Sequence, residues 1–189
     1  MAPGTTQPSW SSHAIIAVAV DRLVWVCALL PYGAVALLAR VIMTRVFFLA
    51  GQDKISGPHI PLHMRLPGFD LALLDWTVVL PAQIKDSTFQ LFETHYAGAP
   101  VPPAVAAHLV AYAELIAPIC LLIGFGTRFA ALVLLALTML LQIYVAPGLW
   151  WSHHVYWVCL LLILIALGAG TVSIDALLRY LYQREQRLP

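Results

Sequence analysis

Residues 103–125 read PAVAAHLVAYAELIAPICLLIGF, an apolar run interrupted by a single charge, Glu114. A helix that crosses the hydrocarbon core of a bilayer needs about 20 mostly apolar residues, because lipid offers the backbone no hydrogen bonds. This run meets that test. So do 32–51, which carries Arg40 and Arg45, and then 128–146 and 154–170. The connections between the last three are short, GFGT at 124–127 and PGLW at 147–150. Short connections make neighbours antiparallel. The expected fold is an all-α integral membrane protein, a four-helix transmembrane bundle.

Composition leads to the same place. The chain is 61% hydrophobic and 10% charged, against about a quarter charged in soluble domains. Its mean hydropathy is +0.86. With so little polar surface, its main partner is the lipid bilayer. The formal net charge is +1 and no long basic run occurs, so no nucleic acid partner is expected. Cys27, Cys120 and Cys159 are far apart in apolar segments, without a C-x-x-C. That excludes a disulfide framework and a dithiol centre, and the three read as small buried hydrophobes.

The remaining segments frame the bundle. Stretch 14–30 is apolar but holds Asp21 and Arg22 at its centre and ends at Pro31. Burying that pair at mid-bilayer is costly, so 1–31 is read as an N-terminal extension with an interfacial helix rather than a fifth span. The first residues lack the basic residues and cleavage site of a signal peptide. Between the first two spans, 52–102 opens with Ser56-Gly57-Pro58 and closes with Gly98, Pro100, Pro102 and Pro103. Within it Ile84, Phe89, Phe92 and Tyr96 fall near one helical face, predicting a short amphipathic helix along the membrane surface. The membrane domain runs over 32–178. Ser173 is placed to cap a last helix with Asp175 in its first turn, and 179–189 forms a basic tail.

Basic residues set the expected topology. Arg128 follows the second span and Arg179, Arg184 and Arg187 follow the fourth, whereas the loop between the third and fourth has no Lys or Arg. The positive-inside rule then places both termini in the cytoplasm. The long loop with Lys54, Arg65 and Lys85 faces out, with Trp150, Trp151 and Trp157 in an outer aromatic belt.

Ionisable residues inside a membrane are expensive and tend to face the bundle interior. Counted inward from Gly51 and from Pro103, Arg40 and Glu114 each lie roughly 16 Å deep. With the two helices adjacent and antiparallel, Arg40 and Glu114 are expected to form an ion pair. Arg45, His108 and Gln142 come out about 7 to 9 Å below the surface. Asp53, Lys54, His153 and His154 lie above them, outlining a polar cleft open to the outside. The Arg40–Glu114 pair either fixes helix register, or Glu114 carries a proton or holds a ligand. All histidines except His13 fall on the outer side, and His59 and His63 are spaced i, i+4 beside Met64. Imidazole and thioether suit copper, so an external copper site using His59, His63, His153 and His154 stands beside the plainer reading as loop and interface residues. No G-x-S-x-G, H-E-x-x-H, P-loop or dinucleotide fingerprint occurs.

Three stretches together resemble the DoxX family of small bacterial membrane proteins. They are Leu37-Leu38-Ala39-Arg40 leading to Phe47-Phe48-Leu49-Ala50-Gly51-Gln52-Asp53-Lys54; Glu114-Leu115 followed by Gly124-Phe125-Gly126-Thr127-Arg128-Phe129-Ala130-Ala131; and Gly168-Ala169-Gly170-Thr171-Val172-Ser173-Ile174-Asp175. Arg40, Gly51, Lys54, Glu114, Gly126, Arg128 and Asp175 match the recurrent positions. The resemblance implies a four-helix inner-membrane fold, with members linked to thiosulfate:quinone oxidoreductase and to complexes handling thiol and oxidative stress. The expanded outer loop is similar to a subgroup tied to metal stress. No catalytic residue comes with the resemblance. Three functions stay open: a redox or stress-response subunit engaging quinone near Glu114, a non-enzymatic scaffold anchoring a protein partner (with copper handling as one setting), and a small-molecule transporter built as a homo-oligomer.

Overall fold

Proline and glycine divide the apolar chain into its helices. A computed structural model describes residues 12–63, 75–96 and 101–186. Helix α1 (Ser12–Ala28) stops before Pro31, and α2 (Tyr32–Lys54) begins just after it. Helix α4 (Pro103–Ile123) starts on a proline, where the missing N–H costs nothing, and ends at Gly124 in the left-handed conformation. Helix α5 (Thr127–Leu140) runs on through a π-helical turn, Leu141–Val145. After the turn Pro147–Leu149, a second π-helical turn, Trp150–His154, leads without a break into α6 (Val155–Leu167). Among the described residues four segments are long and apolar enough to cross a membrane: Tyr32–Lys54, Pro103–Ile123, Thr127–Val145 and Pro147–Leu167. The fourth therefore starts at Pro147 rather than at 154, because the π-helical turn carries the helix back through Trp150.

The four pack as a ring in the order α2, α4, α5, α6, with α6 closing back on α2. Ala36, Ala39, Ala107, Ala111, Ala117, Ala130 and Ala131 line the buried faces, with Met43, Phe47, Leu121, Leu134, Leu161 and Leu164 filling the centre. Small residues let helices approach where lipid supplies no hydrophobic drive between them. Leu109, Ile116, Phe129, Leu132, Ile143 and Leu162 point outward, as a lipid-solvated surface requires. The same solvent explains the cysteines. Cys27 and Cys159 are exposed and Cys120 is half-buried, rather than all being buried, because an outward thiol in lipid is as well placed as an inward one. Residues 16–28 of α1 are exposed throughout.

The long loop holds more than the expected surface helix. Helix α3 (Asp86–His95) is there, but it follows two small antiparallel sheets. Strand β1 (Ile55–Ser56) pairs with β4 (Gln83–Ile84), and β2 (His59–His63) pairs with β3 (Asp75–Val79). Thr77, Val78 and Val79 are good strand formers, and Gln52 clamps them. Its side-chain amide donates to the Val79 carbonyl at 3.2 Å and accepts from the Val79 N–H, acting as one more strand residue at the end of α2. Met64, Arg65, Gly98 and Pro100 lie outside the described residues.

The opposite end, called here the basic end, is closed by helix α7 (Ile174–Glu185). Ser173 caps it by accepting from the Ala176 N–H at 3.1 Å. Asp175 then reaches across to α5, accepting from the N–H groups of Gly126 at 2.8 Å and Thr127 at 3.0 Å. Its own N–H donates to the Gly124 carbonyl at 2.9 Å. Gly124 has φ 71°, and a Cβ there would meet Ser173 and Arg40, so glycine is required twice over. Tyr32 donates its hydroxyl to the Gly168 carbonyl at 2.6 Å, fixing the start of α2 to the end of α6.

Burial pushes the Asp175 carboxyl up, but hydrogen bonds from Thr127 and Gly126, with Arg179 nearby, outweigh it and hold the group below its ordinary value of 3.8. A carboxylate with a depressed folded pKa stabilises at pH above its unfolded value and loses that contribution as pH falls through the folded one. Asp175→Ala is expected to lower stability by about 1 kcal/mol at pH 7. In thermal unfolding of the detergent-solubilised protein, the gap from wild type should narrow as pH drops below 3.8.

Candidate intramembrane charge site

Glu114 lies on the face of α4 that meets α2. Gly51 allows the approach: a Cβ at that position would sit 3.1 Å from the Glu114 carbonyl carbon and oxygen and from Leu115 Cδ2. One turn further, at the end of α2, Lys54 turns back and places its Nζ 2.5 Å from Glu114 Oε2. The ammonium also donates to the Ala50 carbonyl at 3.2 Å. Glu114 is 0% exposed and the Lys54 side chain 18%. The carboxylate is thus sealed while its partner still touches the surface. Glu114 Oε1 has no hydrogen-bond partner among the described residues.

A lid covers the pair. Buried Ile55, Phe48 and Leu115 close one side. Helix α3 is fixed above by its first turn, where Thr88 donates its hydroxyl to the Lys54 carbonyl at 3.1 Å and the Lys85 N–H donates to the same oxygen at 3.0 Å. Phe92 and Tyr96, both buried, stack at 4.4 Å on the inner side of α3. The Tyr96 phenol is pushed up to about 12, by burial first and by the charge of Glu114 second, and it stays protonated. An ionised carboxylate taken out of water costs several kcal/mol unless a cation and hydrogen bonds offset it. Lys54 supplies the cation here.

Arg40 does not pair with Glu114. Its guanidinium donates to the Val172 and Leu122 carbonyls at the basic end. The expected ion pair assumed helices that start flush, and these do not. Gly51 is level with Glu114, and Thr44 donates to the Pro118 carbonyl at 3.0 Å one step further in. Helix α4 therefore runs on past the end of α2, and its first turns pack against α3 instead. Arg40 falls about two turns away from Glu114 and serves to tie α2, α4 and the segment before α7 together.

The remaining predicted residues separate into distinct places. Arg45 lies on the outward flank of α2 among exposed Leu38, Val41, Ile42 and Leu49, and its Nε is buried without a hydrogen bond among the described residues. Gln142 bridges the two π-helical turns, accepting at Oε1 from His154 Nδ1 at 2.6 Å and donating from Nε2 to the Pro147 carbonyl at 2.7 Å. His154 is buried there, whereas His153 is exposed beside Ser152. Asp53 is exposed, and its carbonyl accepts from Lys85 Nζ at 2.8 Å. His59 and His63 sit opposite Val79 and Asp75 in the β2–β3 ladder, which separates them by about 13 Å along the strand. That span exceeds what one ion bridges. Among the described residues no three His, Cys, Asp or Glu side chains converge on a metal position.

His108 belongs to a feature the sequence reading missed. Its ring packs on Phe89 at 5.3 Å, and Nδ1 donates to the Ala104 carbonyl at 2.8 Å. On the flank of α4 away from Glu114, it heads a groove of about 520 Å³ between α4 and α5, lined by Tyr112, Ala113, Cys120 and Phe129 among others. His108 and Tyr112 are spaced i, i+4, which puts them on one flank. That spacing was the available signal.

The DoxX family model matches residues 35–148, a stretch that includes Arg40, Gly51, Lys54, Glu114, Gly126 and Arg128. No curated protein and no solved structure matches the chain.

Gly51→Val should force α2 and α4 apart and draw Lys54 away from Glu114. The expected cost is about 2 kcal/mol, seen as a lower unfolding temperature in detergent, with Gly51→Ala falling between the two.

Proposed function

The chain belongs to the DoxX family and is a multi-pass membrane protein, and on that premise we propose that it is a membrane subunit of a redox or stress-response system that engages quinone. The observation that carries this reading is the groove between α4 and α5. Its walls are apolar and open toward lipid, which suits an isoprenoid tail entering from the bilayer. Its polar groups are at one end. His108 commits Nδ1–H to Ala104, which leaves Nε2 as a proton acceptor for a quinol hydroxyl. Tyr112 brings a hydroxyl to the same flank for a quinone carbonyl.

This placement differs from a quinone held at Glu114. That carboxylate is enclosed on every side and faces the other flank of α4. Its role in this reading is to hold α4 against Lys54 on the other flank, a contact that an isosteric Gln keeps as a hydrogen bond. Electrons then pass between quinone and a partner protein, with the protein binding and orienting the quinone. In the orientation that goes with this reading, the basic end faces the cytoplasm of a bacterial inner membrane and α3 with its sheets faces out.

A second reading, anchoring of a membrane partner without redox chemistry, is favoured by two charges. Arg45 on the outward flank of α2 and Asp21 on the exposed α1 have no hydrogen bond or ion pair among the described residues. A helix from another protein or a second copy would satisfy them.

Solvent extraction and mass spectrometry of the purified protein separate the two. The quinone reading expects about one quinone per chain in wild type, lost from a His108→Ala, Tyr112→Phe double variant and retained in Glu114→Gln. Background levels in all three would contradict it and turn attention to the partner reading.

A further inference from the structure

The basic end of the bundle carries a second, open cavity of about 810 Å³, which the quinone reading does not use. The first turns of α2 and α5, the end of α6 and the start of α7 form its walls. Two guanidiniums face it, Arg128 from α5 and Arg179 from α7, with Tyr32 and Thr171 supplying hydroxyls. Phe129 and Leu167 give it an apolar side.

The charges in this cavity do not cancel. Asp175 also lines it near Arg179 and offsets one of the two positive charges, while its two oxygens accept from the Gly126 and Thr127 N–H groups, so the balance stays positive. Arg128 gives one N–H group to the Ala166 carbonyl at 3.3 Å. Among the described residues the only ion pair within 4.0 Å is Lys54–Glu114, so neither Arg128 nor Arg179 has a carboxylate at that distance. Two exposed guanidiniums beside a concave, half-apolar wall have the chemistry of an anion site. Planar guanidinium forks match phosphate oxygens two at a time.

The surroundings indicate what carries the phosphate. Leu177, Leu178 and Leu181 are exposed on α7, and a helix with such a face lies in the membrane interface, with its charges at headgroup level. Basic pockets between helices at that level take anionic lipid headgroups. We propose that this cavity binds a phosphate-bearing anion, filled in the membrane by the headgroup of an anionic phospholipid. Arg128 and Arg179 hold the phosphate, and an acyl chain lies along Phe129 and Leu167. The lipid thereby ties α7 to the bundle beside the Asp175 contact.

The test titrates the full-length protein in mild detergent with phosphatidylglycerol, phosphatidylcholine and, separately, glycerol phosphate, reading bound molecules by native mass spectrometry. Wild type is compared with Arg179→Gln, Arg128→Gln and Arg184→Gln, the last removing one positive charge from α7 outside the cavity. Arg179 is exposed and makes no hydrogen bond among the described residues, so its variant leaves the N–H contacts that hold Asp175 in place. The expected result is preferential binding of phosphatidylglycerol, about tenfold weaker in Arg179→Gln and Arg128→Gln and unchanged in Arg184→Gln. Glycerol phosphate binding as tightly, with the same variant pattern, also supports the phosphate site and makes its occupant a soluble compound. Equal binding of phosphatidylglycerol and phosphatidylcholine, or a loss in Arg184→Gln as large as in Arg179→Gln, overturns the proposal.

Discussion

A carboxylate enclosed among membrane helices keeps its charge only beside a cation, and much of this bundle is arranged around the one next to Glu114. Lys54 supplies it from the end of α2, which requires that end to lie level with the middle of α4. Gly51 lets the two backbones come close enough, and Thr44 repeats the same register on Pro118. Because α2 stops there, the first turns of α4 extend beyond it and need another partner. Helix α3 provides it, fixed to the Lys54 carbonyl by Thr88 and Lys85. The outer loop is thus built onto the consequence of one ion pair. Such pairs often add little net stability, yet breaking one leaves a buried charge, so they discriminate strongly between alternative arrangements.

The spans were legible because their signal is long and one-dimensional. Apolar length and proline or glycine punctuation place Pro103–Ile123 and Thr127–Val145 almost where the sequence put them. The Ser173 cap was legible as well, being local chemistry. Helix register was not, because depth counting presumes a common starting plane, and the ends of α2 and α4 are offset along the bundle axis. Depth counting therefore pairs Arg40 with Glu114 and leaves Lys54, the actual partner, among the upper groups of the polar cleft. The strands in the long loop were missed for a related reason. Their pairing is set by the Gln52 clamp and by ladder partners far along the chain, which periodicity within one segment does not reveal.

The same geometry separates polar residues that looked like one cleft. Gln142 and His154 join the two π-helical turns, His108 turns to the α4–α5 groove, and Arg45 stays on the outward flank of α2. What remains at the core is a sealed charge pair that positions α4, with a lipid-facing groove on its far side and an arginine-lined cavity at the basic end. Family membership fixes the setting as a membrane, and these two openings are where function is to be sought.

The most direct test of the account is a pair of double-mutant cycles on unfolding stability in detergent, coupling Glu114→Gln with Lys54→Met and, separately, with Arg40→Met. The expected result is a coupling of about 2 kcal/mol between Glu114 and Lys54 and near-additivity between Glu114 and Arg40. Strong coupling to Arg40 with none to Lys54 would mean that the helices start flush after all, and the register on which the loop, the groove and the charge site depend would be wrong.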